Sequence, residues 1–278
     1  MKILITGGRG FIGRRLQKAL EKTKGNEVCL LVLDKDKDAG DEKLKCVIVG
    51  DINDPKLDIS QYDVVYHLAA IANPRVCEQN KELAWKTNVD GTRNIAERVR
   101  PGARLVFMSS AHVYENGDTL HGEDEIPDPQ TFYGLTKLVG EDAVNYAAKA
   151  RGFKKTIFRL FNSYAVDQPE GFLVPDVIKK YRTQKVVEVF NPDSEIDLLR
   201  VEDVVAVLVA ASSGKLDGTY NVCSGKPAKI SEVYTKIREY AGAKGVKEKV
   251  VSNKVKKLLG DGSKLAKAGF KFRGFSLP

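Results

Sequence analysis

Tyr133 and Lys137 stand four residues apart in Tyr133-Gly134-Leu135-Thr136-Lys137, and Ser109-Ser110 closes an apolar run upstream of them. On a helix, residues so spaced share a face. An ammonium beside a phenol favours the charged form and lowers its pKa. A phenol tuned toward neutrality takes a proton from a hydroxyl or returns it. A serine of the Ser109-Ser110 pair would add a hydroxyl that hydrogen-bonds the reacting oxygen. It is not read as a nucleophile, because no His–Asp pair follows in a hydrolase arrangement. The expected catalytic residues are therefore Tyr133, Lys137 and one serine of the Ser109-Ser110 pair. The spacing taken alone also fits an exposed aromatic–lysine pair.

A second constellation opens the chain. Thr6-Gly7-Gly8-Arg9-Gly10-Phe11-Ile12-Gly13 follows the apolar run Lys2–Ile5 and precedes Arg14–Leu20. Strand, glycine turn and helix start in that order hold a dinucleotide diphosphate, with backbone amides and the positive helix end aimed at the anion. Gly8, Gly10 and Gly13 fit G-x-G-x-x-G, while Gly7, Gly10 and Gly13 fit the alternative G-x-x-G-x-x-G. Asp34, after the apolar run Val28–Leu33, stands where an acid binds the adenosine ribose, which favours NAD over NADP. Lys35, Lys37 and Arg9 are close enough in sequence to soften that preference. Asp51-Ile52, after Cys46–Val49, would lie beside the adenine.

The elements that must position these groups alternate. Strands are expected at Lys2–Ile5, Val28–Leu33, Cys46–Val49, Val64–Leu68, Leu105–Ser109 and Thr156–Leu160. Helices are expected at Phe11–Lys22, Lys81–Arg100 and Phe132–Ala150. The alternation predicts an α/β fold with a doubly wound parallel sheet, and a ligand cleft at the carboxyl ends of its strands. Beyond Asn162 the pattern loosens around Pro169, Pro175 and Pro192. This predicts a dinucleotide-binding Rossmann domain at 1–164 and a smaller, irregular substrate lobe at 165–278, with a helix at Val201–Ala211 returning to the sheet. Asn116–Pro129 is a polar loop that could flank or cover the cleft.

The 278 residues carry a net charge of +8 and four cysteines. The excess charge sits between Lys244 and Arg273, where nine lysines and one arginine face only Glu248 and Asp261. Without aromatic–basic alternation this reads as a solvated face, or as a field drawing an anionic substrate, and no nucleic-acid partner is expected. No run is long enough to cross a membrane, and the chain opens on a strand, so neither membrane association nor a signal peptide is expected. Cys29, Cys46, Cys77 and Cys223 lack metal-type spacing. They read as core residues of a reducing compartment, which makes a cytoplasmic protein without a metal site the expectation.

Taken together, these residues resemble the NAD-dependent epimerase/dehydratase family of extended short-chain dehydrogenase/reductases, over nearly the full length. The motifs are Ile5–Gly13, Gly50-Asp51-Ile52, His67-Leu68-Ala69-Ala70, Asn88-Val89-Asp90-Gly91-Thr92, Ser109-Ser110-Ala111-His112-Val113-Tyr114, Tyr133–Lys137, Arg159-Leu160-Phe161-Asn162 and Tyr220-Asn221-Val222-Cys223-Ser224-Gly225. The resemblance implies a bound NAD that takes a hydride from a nucleotide sugar, usually at C4, and returns it to the other face. It implies that Tyr133 is the acid/base, that Ser110 orients the substrate, and that Lys137 also binds the nicotinamide ribose. It places Gly7, Gly10, Phe11, Ile12, Gly13, Asp34, Lys35, Asp51, Ile52, Leu68, Ala69, Ala70, Asn88, Ser109 and Phe161 around the cofactor and Asn162 at the substrate. It further implies a homodimer through the helices at Lys81–Arg100 and Phe132–Ala150.

Several positions depart from the family pattern. Ile196 stands where an arginine usually grips the diphosphate, and Arg200 is the candidate replacement or else a surface charge. Glu115 and Ala165 replace expected glycines, and the chain stops soon after Asp261–Phe270. Ala111-His112 replaces the Asp-Glu pair of sugar 4,6-dehydratases, which disfavours water elimination. His112 reads as structural or as a second proton carrier, and His67 and His121 as strand-end and loop residues. The leading expectation is an epimerase. The alternatives are a dehydrogenase or 4-keto-sugar reductase with net redox, and a non-catalytic dinucleotide sensor.

Overall fold

The structure, a computed structural model, describes residues 1–34, 45–118 and 120–278. Seven strands form the main sheet: β1 (Lys2–Thr6), β2 (Glu27–Val32), β3 (Val47–Val49), β4 (Val64–His67), β5 (Arg104–Ser110), β6 (Lys154–Leu160) and β7 (Gly218–Val222). Their order is β7-β6-β5-β4-β1-β2-β3. Every pair from β3 across to β5 is parallel. From β1 the chain winds outward first to β2 and β3, then on the other side to β4, β5 and β6. The order therefore reverses between β1 and β4, and a doubly wound sheet binds its ligand at such a reversal.

In the central strands β1, β4 and β5 period-two burial is absent because both faces are covered. Ile3, Leu4 and Ile5 of β1 and Leu105, Val106 and Phe107 of β5 are wholly buried. Such continuous apolar runs are what a parallel sheet between two helical layers requires. One face packs Leu4, Val65, Leu105 and Phe107 against Ile95, Val99 and Val144. The expected strands and helices are found within one or two residues at nearly every end. Strand β7 was not anticipated.

One expected helix is broken. After helices α1 (Phe11–Glu21) and α2 (Pro74–Gln79), the stretch Lys81–Arg100 runs as α3 (Lys81–Trp85), a π-helical turn over Lys86–Asp90, and α4 (Gly91–Ala96). The wide turn carries Asn88 and Val89 inward, and both are buried. Such single π turns are frequent at functional sites.

The cysteine expectation is corrected. Cys29 and Cys46 form a disulfide, while Cys77 and Cys223 are free and buried. Leu30 of β2 pairs with Val47 of β3, so Cys46, one residue before β3, is carried alongside Cys29 with a Cα–Cα separation of 4.6 Å. The cysteines thus lend no support to a reducing compartment. His121 is also corrected: it lies in the short strand Leu120–His121, fully buried, with Nδ1 2.9 Å from Glu125 Oε2.

The chain forms two compact units, each assembled from three segments: 1–114, 127–159 and 205–220; and 115–126, 160–204 and 221–278. These segments differ from the linear division at 164/165, because the polar stretch 115–126 belongs with the later residues and 205–220 with the earlier ones. In the first unit, Tyr66 Oη donates to Leu208 O of the helix Val201–Ala211 at 2.8 Å. The second unit has its own core, including Tyr164, Val177, Tyr181, Val189, Leu198 and Val233. Within it the buried Asp197 carboxylate accepts from Ser224 N at 2.7 Å and Gly225 N at 2.8 Å. Among the described residues, no helix is long and apolar enough to cross a membrane.

Candidate active site

The glycine turn follows β1 directly. Gly7 has φ of 69°, a left-handed conformation that strains any other residue. A Cβ there would lie 2.7 Å from Ala69 N, and one at Gly13 would run into Gly7 O. Both glycines thus let the turn press against the end of β4 and against itself. Helix α1 (Phe11–Glu21) starts at once, with no side-chain cap at Gly10 and no acid in its first turn. The positive end of α1 therefore faces no carboxylate of its own first turn, as anion binding at a helix start requires. A dinucleotide diphosphate fits these residues.

Around that turn the structure distributes the expected cofactor residues unevenly. Leu68, Ala69 and Ala70 follow β4 and are half-buried. Ala69 N donates to Thr6 Oγ1 at 3.2 Å, which ties the end of β4 to the glycine turn. Ile52 is buried, and the exposed Asp51 caps its own turn by accepting from Asn53 N at 2.8 Å. Asp34 is exposed just past β2, whereas Lys35 lies outside the described residues. Asn88 is wholly buried and engaged with protein: Oδ1 accepts from Ile71 N at 2.8 Å, and Nδ2 donates to Ile71 O and Thr136 Oγ1, each at 3.1 Å.

Tyr133 and Lys137 lie on α5 (Phe132–Arg151), started by Thr131, whose hydroxyl accepts from Gly134 N at 3.0 Å. Gly134 is required here, because a Cβ would collide with His112 O. The end of β5, carrying Ser109 and Ser110, is thus pressed against the first turn of α5. The Ser110 hydroxyl lies near enough to the Tyr133 phenol to favour its ionised form, and it accepts from His112 N at 3.2 Å. The His112 ring meets the Tyr133 ring edge-on at 5.5 Å.

The expected acidification of the phenol is not found. Burial pushes the Tyr133 pKa up to about 12, with the Ser110 hydroxyl pulling the other way. The physical reason is the direction of Lys137: its Nζ lies over the Phe107 ring, 4.4 Å from the centroid. Burial also pulls Lys137 down to about 8, opposed by Glu141. The lysine is still mostly charged at neutral pH.

A buried chain of hydrogen bonds joins the two constellations. Thr6 Oγ1 meets His67 Nδ1 at 2.7 Å, and His67 Nε2 meets Thr92 Oγ1 at 3.0 Å. Thr92 donates to Asn88 O at 2.6 Å, Asn88 to Thr136, and Thr136 to Tyr133 O at 2.8 Å. Burial holds His67 neutral, with a pKa near 3. His67 is therefore a bracing residue and more than the strand end that the sequence indicated.

Sequence reasoning missed Glu141 and the part Arg159 plays. Ser109, expected at the cofactor, donates to Glu141 Oε1 at 2.5 Å instead. The signal was available, since Tyr133, Lys137 and Glu141 repeat every four residues. Phe161, Asn162 and Arg200 fall in the second unit. Phe161 packs over Gly260, where a Cβ would enter its ring. Asn162 is half-buried and pairs with Leu198, while Arg200 pairs with Tyr164 and borders a cavity of about 80 Å³ with Asp167 and Glu202. Ile196 packs against the second core.

Comparison with known proteins gives a consistent picture. The family model described as NAD dependent epimerase/dehydratase family matches residues 3–223. UDP-glucuronic acid decarboxylase 3 of Arabidopsis thaliana is 30% identical over 84% of this chain and 72% of its own. An uncharacterized membrane protein of Methanocaldococcus jannaschii, MJ1061, is 28% identical over 75% of this chain, which spans 62% of that protein's length. The UDP-glucose 4-epimerase of Thermotoga maritima, solved with UDP-glucose, shares the fold at a TM-score of 0.86 and 24% identity, covering 98% of this chain and 94% of its own.

Proposed function

The chain belongs to the NAD dependent epimerase/dehydratase family, and from that premise we propose that this NAD-dependent enzyme is a nucleotide-sugar 4-epimerase. The observation that carries the reading is that Ser110, Tyr133 and Lys137 are buried together, the Ser110 segment lying against Gly134 in the first turn of α5 and Lys137 one turn along the same helix. A dinucleotide sensor needs the glycine turn but no such acid/base group.

Gly7, Gly10, Phe11, Ile12 and Gly13 would hold the diphosphate, Asp34 the adenosine ribose, and Leu68–Ala70 the groove leading to the nicotinamide. When bound, NAD supplies hydride-accepting and hydride-donating chemistry and a cationic ring. Once ionised, Tyr133 Oη would take the proton of the sugar hydroxyl and later return it, which requires the positive charges of Lys137 and of the bound cofactor to bring its pKa down from about 12. Ser110 fixes the reacting oxygen. Lys137 keeps a positive charge in a buried site where the phenol otherwise holds its proton up to about pH 12. Asn162 and Arg200 are the proposed substrate contacts. A homodimer is proposed through the exposed Leu83, Trp85, Leu135 and Tyr146 of the helical layer, tested by sedimentation.

The purified protein is expected to carry NAD and to interconvert 4-epimers of a nucleotide sugar with none added. Tyr133→Phe is expected to lower kcat by roughly 10³-fold or more while the cofactor stays bound. Steady net change in NAD(H) absorbance with turnover would assign a dehydrogenase or reductase instead. A second reading is favoured by the Arabidopsis relative: loss of CO2 from a nucleotide-linked uronic acid, read out as gas release.

A further inference from the structure

We propose that Glu141 and Arg159 are positioning residues, a buried ion pair that clamps the Ser110 segment at both ends and holds the charge on Lys137. The proposal rests on the catalytic reading of Ser110, Tyr133 and Lys137. Glu141 lies one turn beyond Lys137 on α5 and is 2% exposed; Arg159, on β6, is 6% exposed. Their contact is a fork: Arg159 Nη2 to Glu141 Oε2 at 2.8 Å and Nε to Oε1 at 3.1 Å. Removing two charges from water is costly, so a buried pair is weak evidence for a stabilising role. Its other contacts indicate a different one.

Each partner reaches one end of residues 109–114. Glu141 accepts from Ser109 Oγ at 2.5 Å, and Arg159 Nη1 donates to Tyr114 Oη at 2.7 Å. Ser109 precedes Ser110 directly, and Tyr114 ends the short turn Ala111–Val113 that carries His112. Both ends of the segment are thereby tied to α5 and β6, and the segment cannot shift without breaking a charge-assisted bond. Ser110 and the His112 ring are the two parts of that segment that meet Tyr133.

The same carboxylate acts on Lys137 through space. The groups around that ammonium are Glu141 on its own helix, Cys77 from the helix Pro74–Gln79, the neutral His67 from β4, and the Phe107 ring from β5. Glu141 is the acidic side chain among them, and with Arg159 it is also the group that fixes Ser109.

The experiment uses the NAD-loaded protein labelled with ¹³Cε-lysine, with Lys137→Arg to assign the signal. In Glu141→Gln the Lys137 titration is expected to move to lower pH by about one unit, and Glu141→Asp to keep it near the parent value. With substrate, Glu141→Gln is expected to lower kcat by roughly 10–100-fold with KM within about threefold. Ser109→Ala loosens one end of the clamp and keeps the carboxylate, so kcat falls by roughly fivefold while the titration stays in place. A folded Glu141→Gln variant with parental titration and kcat would overturn the proposal. So would equal losses of melting temperature and turnover in the Gln and Asp variants without any titration shift. Should Glu141→Gln not fold, a parental kcat in Ser109→Ala overturns it. A titration shift in a protein that turns over no nucleotide sugar would leave the clamp standing and fell the epimerase reading.

Discussion

The ammonium of Lys137 lies over the face of Phe107, 4.4 Å from the ring centroid. A ring face attracts a cation, most strongly where water is absent. This contact and Glu141 together keep a charge in a place where burial pulls its pKa down to about 8. Because the folded value lies below the ordinary 10.5, the unfolded chain binds the extra proton between the two. Stability therefore rises with pH across that window.

Lys137→Met should accordingly stabilise the protein at pH 7, by up to about 3 kcal/mol, and by little at pH 10.5. Turnover should be lost in the same variant. Denaturant melts at the two pH values check the first statement. A destabilised variant at neutral pH would show that the lysine's contacts outweigh its desolvation.

His67 gives the opposite limb. Its folded pKa near 3 lies below the ordinary 6.5, so the unfolded chain takes up a proton first as pH falls. Stability that is full above pH 6.5 is lost progressively toward pH 3, by up to on the order of 5 kcal/mol. His67→Gln should flatten this acid limb and lower stability at pH 7 by about 1–3 kcal/mol, through the bonds to Thr6 and Thr92. Melts from pH 7 to pH 4 read both effects.

Gly7→Ala would place a Cβ 2.7 Å from Ala69 N on a backbone with φ of 69°. The turn must open, and NAD affinity should fall by at least roughly 100-fold, with a stability loss of about 1–3 kcal/mol. Gly25, with φ of 88° but open space around it, is the control: Gly25→Ala should cost stability and leave NAD binding alone. Fluorescence titration with NADH distinguishes the two.

The Cys29–Cys46 disulfide spans a sequence separation of 17. Closing a loop of that length restricts the unfolded chain by about 3 kcal/mol. Dithiothreitol or Cys46→Ser should lower the melting temperature, whereas Cys77→Ser and Cys223→Ser should not abolish the sensitivity to reductant.

Much of the sheet was legible because its strands are buried on both faces and read as uninterrupted apolar runs. The glycine turn and the Tyr133–Lys137 spacing were legible because the chemistry sits in consecutive residues. Strand β7 was not, since it comes nearly sixty residues after β6 and carries no long apolar run. The Cys29–Cys46 bond depends on β2 and β3 being neighbours, a fact of topology that no spacing reveals. The Tyr133 pKa depends on burial and on where the Lys137 side chain points. Glu141 could have been seen as a third rung on α5, but its meaning needed Ser109 and Arg159, brought in from two strands.

The hydrogen-bonded chain from Thr6 to Tyr133 has a practical consequence for redesign. Its links are interior and interlocked, while Asp34 stands in solvent beyond the end of β2. With Asp34 as the proposed ribose contact, substitution there is expected to change cofactor preference at the rim without altering the surroundings of the Tyr133 phenol. Libraries that diversify Thr6, Thr92 or Thr136 will instead detune recognition and turnover at once.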